Sequence, residues 1–417
     1  MTEQDDSADI PESKWLFSSS QLRQSRARAN REGREYLQSL SAAATGTSSR
    51  SDEERPIPPV KWFASGYSKR CNDGDGDDDD DDASAEGSDL LHSPPLTPQE
   101  ELLLLQFYSG KIPDLIGPAA MLFKLRRDVK VAATASALFR RFFLSNSVML
   151  HDPKAMMVAS AFLGSKVEDA TADIRYLEEA TNLMQAPVTQ KEIVEAEASL
   201  VAGLHFELLC FHPYKTVLAY TEDLRTYLKT DKGSKLATFS GHEDRPVVGE
   251  DLRPMHDEAR KIVDDACVSD VILLAPPGQI GLAAMMVAND DLQLLQQKQL
   301  QQPSNGEDGG EMQPKRPTAP KIDLLGYVAS RFDDREDEDH NGLRSRINDV
   351  CDMLRALRQG KYGCGNHGID MVKLKAVHKK LKKCRGGAES KSKKKKKKRK
   401  AKTDEDDATA AKKAKTG

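Results

Sequence analysis

The sequence predicts an all-α protein: two tandem repeats of about five helices each, an additional helix at either end, and disordered inserts and tail. Three observations predict it. From Thr97 to His212 apolar residues recur at helical spacing between capping signals, with no strand-like alternation. A later segment repeats the plan of this one. The polar and low-complexity tracts fall between these segments rather than inside them. The chain has 417 residues, of which 38% are hydrophobic and 31% charged, as expected for ordered cores diluted by polar stretches.

Residues 1–40 hold "KWLFSSSQLRQSRARANREGREYL" (Lys14–Leu37). Ser18–Ser20 supply candidate N-caps. Leu22, Ala29 and Tyr36 recur every seven residues among five arginines, at positions 23, 26, 28, 31 and 34. A stripe that thin cannot hold a helix by itself, so this helix must lie on something. Residues 41–96 are rich in Ser, Ala, Asp, Gly and Pro and predict a disordered acidic linker, with "DGDGDDDDDD" at Asp73–Asp82. A calcium loop is not expected there, because Ser84 stands where the bidentate glutamate would be. Ser93 and Thr97, each followed by proline, are candidate phosphorylation sites.

The first repeat spans residues 97–212. Thr97 with Glu100 makes a capping box, and Pro98 takes the first helical position. "DVKVAATASALFRRFFL" (Asp128–Leu144) has small residues along one side, which let helices approach closely. "DPKAMMVASAFLGSKVED" (Asp152–Asp169) starts with Asp and Pro and is nearly apolar throughout, so it belongs in the middle of a bundle. "TQKEIVEAEASLVAGLHFELL" (Thr189–Leu209) opens with a second capping box, Thr189 with Glu192, and carries Ile193, Leu200 and Leu204 on one stripe.

The second repeat, residues 213–360, follows the same plan. "SVMLHDPKAMMVASAFL" lies on "VILLAPPGQIGLAAMMV" at an offset of 124, so that Pro153 meets Pro277 and Ala159 meets Ala283. Inserts are expected at 230–250 and 292–321. Leu343, Ile347, Val350, Leu354 and Leu357 form a regular stripe, with Asn341 as expected N-cap and Gly360 near the stop. A C-terminal helix is expected over 369–385, with Leu374, Val377 and Leu381 on one face and a basic face opposite. Residues 386–417 read as a disordered lysine-rich tail.

Composition narrows the function classes. The net charge of −4 hides an acidic run and the basic run Lys391–Lys400. Lys393, Lys394, Lys395, Lys396, Lys397, Lys398, Arg399 and Lys400 have the composition of a nuclear localisation signal, which places the chain in the nucleus. Six scattered cysteines without a CxxC pair, and no secretory signal, predict a reducing compartment without a zinc ribbon. No apolar run approaches the roughly 20 residues of a membrane span. Phosphate-loop, dinucleotide, zincin and nucleophile-elbow motifs are missing, so a non-catalytic binding scaffold without metal or cofactor is expected. Spacing alone leaves Lys166 and Glu197 an ordinary exposed salt bridge, worth about 0–1 kcal/mol.

"ALFRRFFLSNSVMLHDPKAMMVASAFLGSKVED" resembles the signature of a cyclin box, and cyclins consist of two five-helix repeats. "WLFSSSQLRQSRARAN", "FHPY" (Phe211–Tyr214), "SDVILLAPPGQIGLAAMM" and "VKLKAVHKKLKKC" resemble the cyclin H type. That resemblance implies a regulatory subunit of the CDK-activating kinase. The implied partners are a cyclin-dependent kinase catalytic subunit, a RING-finger assembly factor and TFIIH, with no sequence-specific nucleic acid and no membrane. The implied output is phosphorylation of CDK activation loops and of the RNA polymerase II C-terminal domain. Alternatives are a transcriptional cyclin of C, K or T type, or a TFIIB-like cyclin-fold factor.

In cyclins a lysine and a glutamate of the first box contact the kinase near its mobile αC helix. By motif, Lys166 matches the lysine. Glu197, nine residues before Phe206 of "LHFEL", matches the glutamate, with Glu195 as fallback. The resemblance makes the N-terminal helix a clamp on the repeats, with Trp15 and Phe17 as anchors and arginines, Arg23 and Arg26 among them, free to face the kinase. The stretch "MLFKLRRD" (Met121–Asp128) does not match the apolar substrate-recruiting patch of cell-cycle cyclins.

Overall fold

Caps written in the sequence set where the helices begin. The computed structural model describes residues 13–45, 59–61, 95–239, 245–301, 319–331, 337–360 and 368–386. The expected sites Ser93 and Lys393–Lys400, and the acidic run, lie outside the described residues. Helix α1 (Ser19–Thr45) follows a 3-10 turn at Ser13–Trp15. Ser18 caps it: its Oγ accepts from the Gln21 N–H at 3.2 Å, and its own N–H donates to Gln21 Oε1 at 2.8 Å.

The first repeat is α2 (Pro98–Leu115), α3 (Val129–Phe142), α4 (Pro153–Val167), α5 (Ile174–Leu183) and α6 (Gln190–Gly203). Both expected capping boxes, Thr97 with Glu100 and Thr189 with Glu192, are formed. Asp152 caps α4 by accepting from the Lys154 N–H at 3.0 Å, and Pro153 takes N1. Helix α4 is the central helix, packed on α2, α3 and α6. Small residues make this possible: a Cβ on Gly164 of α4 would stand only 3.0–3.1 Å from the Ala135 backbone of α3.

The second repeat is α7 (Pro213–Tyr227), α8 (Gly249–Cys267), the one-turn α9 (Val271–Leu274), α10 (Pro277–Gln301), α11 (Leu324–Arg331) and α12 (Asp337–Arg358). The duplication read at an offset of 124 is present, since α4 and α10 both start on the aligned prolines. Leu354, Ile347, Val350 and Leu357 are buried, as their stripe predicts. Strands β1 (Ala237–Thr238) and β2 (Lys321–Ile322) pair antiparallel and tie the edges of the two inserts together.

Helix α13 (Met371–Gly386) starts on Asp370, whose Oδ1 accepts from the Val372 N–H at 2.8 Å. It lays Leu374, Val377 and Leu381 on the first repeat, against α2.

Four expected boundaries need correction. Helix α1 continues to Thr45, past residue 40. Within the expected 41–96 linker, Lys61 is held on the first repeat: Asn146 Nδ2 donates to its carbonyl at 2.8 Å, and its N–H donates to Asn146 Oδ1 at 3.0 Å. Helix α10 extends through Gln293–Gln301 because glutamine and leucine are good helix formers. Helix α12 starts at Asp337, so Asn341 lies inside it and is not the N-cap.

Candidate functional site

Helices α4 and α6 pack side by side and bring Lys166 and Glu197 together. Lys166 Nζ donates to both carboxylate oxygens of Glu197, at 2.8 and 3.0 Å. The lysine sits in the last turn of α4, where the helix dipole favours a cation. Its ammonium also stands 3.8 Å from the centroid of the Phe162 ring. The lysine side chain is 39% exposed and the glutamate 15%. The pair therefore presents a positioned ammonium to solvent on a firmly held carboxylate. Glu195, the fallback, points elsewhere: it is exposed and lies 3.7 Å from Lys191, one turn back on α6.

Apolar residues flank Glu197 along α6. Val194 and Val201 lie three residues before and four after Glu197, on the same face of α6, and Val194 is exposed. After α6 the chain turns through His205 and Phe206, both with left-handed φ, at 52° and 61°. That region disfavours bulky residues. Here it holds the Phe206 ring 76% exposed. Spacing did not single out Phe206 as a site residue, because a lone aromatic after an amphipathic helix reads as core. Its backbone conformation and exposure show only in three dimensions.

The N-terminal segment reaches the same loop. Lys14 forms an ion pair with Glu207, the neighbour of Phe206. Trp15 is buried, with the Arg141 guanidinium 4.7 Å from its ring centroid, and Arg141 also donates to the Leu209 carbonyl at 2.8 Å. Phe17 is buried, and its N–H donates to the Leu273 carbonyl of the second repeat at 2.8 Å. Trp15 and Phe17 thus anchor the segment on the two repeats, and neither ring is presented to a partner.

The arginines divide. Arg23 is exposed on α1. Arg26, expected to face a kinase, is turned inward and buried: it donates to both oxygens of Asp270 at 2.6 and 2.7 Å. Arg140 of α3 joins the same carboxylate and also donates to the Val268 carbonyl and, at 3.1 Å, to Ser109 Oγ. The two guanidinium groups hold the Asp270 carboxyl far below the usual carboxylate range despite its burial.

Thr97 is exposed, but its hydroxyl oxygen accepts from the Glu100 N–H as the α2 cap. Met121 and Phe123 are exposed, so the stretch expected to lack an apolar surface carries one of two residues. At the junction of the repeats, Thr134 Oγ1 lies 2.6 Å from Glu168 Oε1 and 2.7 Å from His212 Nε2. Burial lowers the His212 pKa to about 4, so the ring is neutral near pH 7. Among the described residues no cluster of three or more His, Cys, Asp or Glu could hold a metal, and no helix is long and apolar enough to cross a membrane.

Two tandem helical repeats, five helices in the first and five plus the one-turn α9 in the second, packed by terminal helices and presenting a lysine–glutamate pair between α4 and α6, define a helical binding scaffold. The cyclin N-terminal domain family matches residues 114–209 and the cyclin C-terminal domain family matches residues 212–359, together more than half of the chain. The chain belongs to the cyclin family. It is 30% identical over 198 residues to Cyclin CCL1 of Saccharomyces cerevisiae, a match covering 48% of this chain and 44% of that protein. It is 27% identical over 195 residues to Cyclin-H of Xenopus laevis, covering 46% and 53%. The chain spans about half the length of the curated relatives it matches. A solved chain from the CAK complex of Chaetomium thermophilum bound to ATP-gamma-S shares the fold, with a TM-score of 0.56 and 20% identity, over 89% of this chain and 85% of that one.

Proposed function

We propose that this chain is a cyclin H-type regulatory subunit that binds and activates a cyclin-dependent kinase, as a CDK-activating kinase within TFIIH. The observation that carries this reading is the Lys166–Glu197 pair, fixed between α4 and α6 with the lysine side chain exposed. A kinase transfers phosphate only when a lysine–glutamate ion pair to its mobile helix is assembled. A cyclin that binds the assembled state more tightly shifts the population toward it, in proportion to that differential affinity. The exposed ammonium of Lys166 would contact the kinase near that helix. Phe206 and Val194 would supply apolar contact beside it. The chain itself would perform no phosphoryl transfer.

The relatives named above extend the reading. Kinase partner, RING-finger assembly factor, TFIIH membership and a nuclear location follow by analogy with cyclin H proteins. Activation loops of other kinases and the RNA polymerase II C-terminal domain are the expected substrates of the assembled kinase. A transcriptional cyclin of another type is the alternative; the packed helices α1 and α13 favour the cyclin H type. Pull-down from nuclear extract with mass spectrometry tests this, because the identity of the recovered kinase separates the types. A reconstituted kinase assay tests the site: a chain carrying Lys166→Ala and Glu197→Ala that still activates normally overturns the assignment.

A further inference from the structure

Helix α13 carries seven basic residues between Met371 and Gly386 and no acidic one. Two of them are used in packing the helix on the first repeat, Lys380 with Glu100 and Arg385 with Asp152. The other five, Lys373, Lys375, Lys379, Lys382 and Lys383, are exposed, and no carboxylate pairs with any of them among the described residues. At about 100° per residue, Lys375, Lys379, Lys382 and Lys383 fall on one strip opposite buried Leu374, Val377 and Leu381. Lys375, Lys379 and Lys383 follow one another at i, i+4 spacing, where like charges repel. Neither helix formation nor packing on the repeat calls for such a row. A bound polyanion would relieve it.

The sequence supplies a polyanion on a short tether to this helix. Leu96, where the acidic linker rejoins the fold, is buried at the α13 C-terminus, and its backbone is hydrogen-bonded to the Cys384 thiol. From the other side its carbonyl accepts from Asn30 and Arg34 of α1 at 2.9 Å. The C-terminal end of the linker is therefore fixed at α13. The run Asp73–Asp82 holds eight aspartates in ten residues and ends about 14 residues before Leu96. That tether spans up to ~45 Å when extended, against a helix about 24 Å long. A tether this short gives an effective concentration in the millimolar range, which external polyanions must outcompete.

We propose that the acidic run Asp73–Asp82 docks on the lysine row of α13 in the same molecule. The contact is electrostatic and sequence-tolerant, and it covers a surface that would otherwise attract any phosphate- or carboxylate-rich chain. Zero-length carbodiimide coupling of the full-length chain at low protein concentration, followed by mass spectrometry, tests it. Amide cross-links from the run to Lys375, Lys379, Lys382 or Lys383 are expected within the monomer band. Their yield is expected to fall several-fold between about 0.1 M and 1 M salt, as the Debye length shortens from about 10 to 3 Å. Replacing Lys375, Lys379 and Lys383 together by Gln should remove the α13 cross-links while leaving the melting temperature unchanged or raised. Cross-links confined to Lys393–Lys400, found only in dimers, or absent altogether overturn the proposal. So does a fluorescent DNA duplex that binds the row equally tightly whether Asp77–Asp82 are intact or replaced by Asn, since the row would then be open to nucleic acid.

Discussion

Arg26 and Asp270, 244 residues apart in sequence, meet through two parallel hydrogen bonds of 2.6 and 2.7 Å. Because Arg140 holds the same carboxylate, one half-buried anion between two buried guanidinium groups ties α1, α3 and the α8–α9 turn together. Removing one member of a buried charge group leaves its partners uncompensated, at a cost of about 3–5 kcal/mol. Asp270→Ala strands two guanidinium groups and should cost the most. Arg26→Met leaves Asp270 with Arg140 and should cost less, about 1–3 kcal/mol. Urea unfolding gives the order. Amide exchange should show α1 opening first in both variants.

Lys166→Ala and Glu197→Ala should separate stability from binding. The pair is partly exposed, so each change should alter unfolding free energy by less than about 1 kcal/mol. Kinase affinity should fall about tenfold or more, a loss of at least ~1.4 kcal/mol. A double-mutant cycle by calorimetry checks whether the two act as a unit. Glu195→Ala, on the far side of α6, should leave affinity unchanged.

How far the fold could be read from sequence follows from what each signal depends on. Capping boxes at Thr97 and Thr189 are local chemistry, so they placed the starts of α2 and α6 correctly. The shared proline and small-residue pattern reported the duplication for the same reason. Arg26 reads as a free surface cation in the sequence because its fate depends on Asp270, whose approach to α1 is set by the packing of both repeats. Phe206 carries no sequence signal as a site residue, because left-handed backbone at a bulky residue has no sequence signature. Lys166 and Glu197 stand out only through family resemblance; their spacing alone describes a commonplace ion pair.

Glu101 makes stability depend on pH. It is buried beneath α1, accepts from Ser147 Oγ and is hydrogen-bonded to the Asn30 amide, and burial pushes its carboxyl up to about 7. Between its ordinary 4.5 and 7 the folded chain holds a proton that the unfolded chain has released. Stability from this group therefore falls as pH rises through that window and levels off above it. Relative to Glu101→Gln, the wild type should lose roughly 2–4 kcal/mol between pH 4.5 and 7.5. His212, lowered to about 4, acts in the opposite sense: its contribution is lost as pH falls from 6.5 to 4. The difference between the variant and wild-type curves, rather than either curve alone, isolates Glu101. Parallel curves from chemical denaturation would show that the carboxyl does not titrate in this window.

Phe206 should trade stability against binding. Its φ of 61° is costly for a side chain with a Cβ, by about 1–2 kcal/mol. At 76% exposure the ring recovers little of this by burial. Glycine adopts the same backbone freely, so Phe206→Gly should leave the chain as stable or about 1 kcal/mol more stable, the gain partly offset by greater freedom when unfolded. If the ring is held out as a contact, the same variant should bind the kinase at least several-fold more weakly, while Phe206→Leu keeps part of the affinity without relieving the backbone. Thermal unfolding and calorimetric titration of both variants decide it. A Phe206→Gly chain that is more stable and binds as tightly as the wild type would leave the strained conformation without a role in recognition.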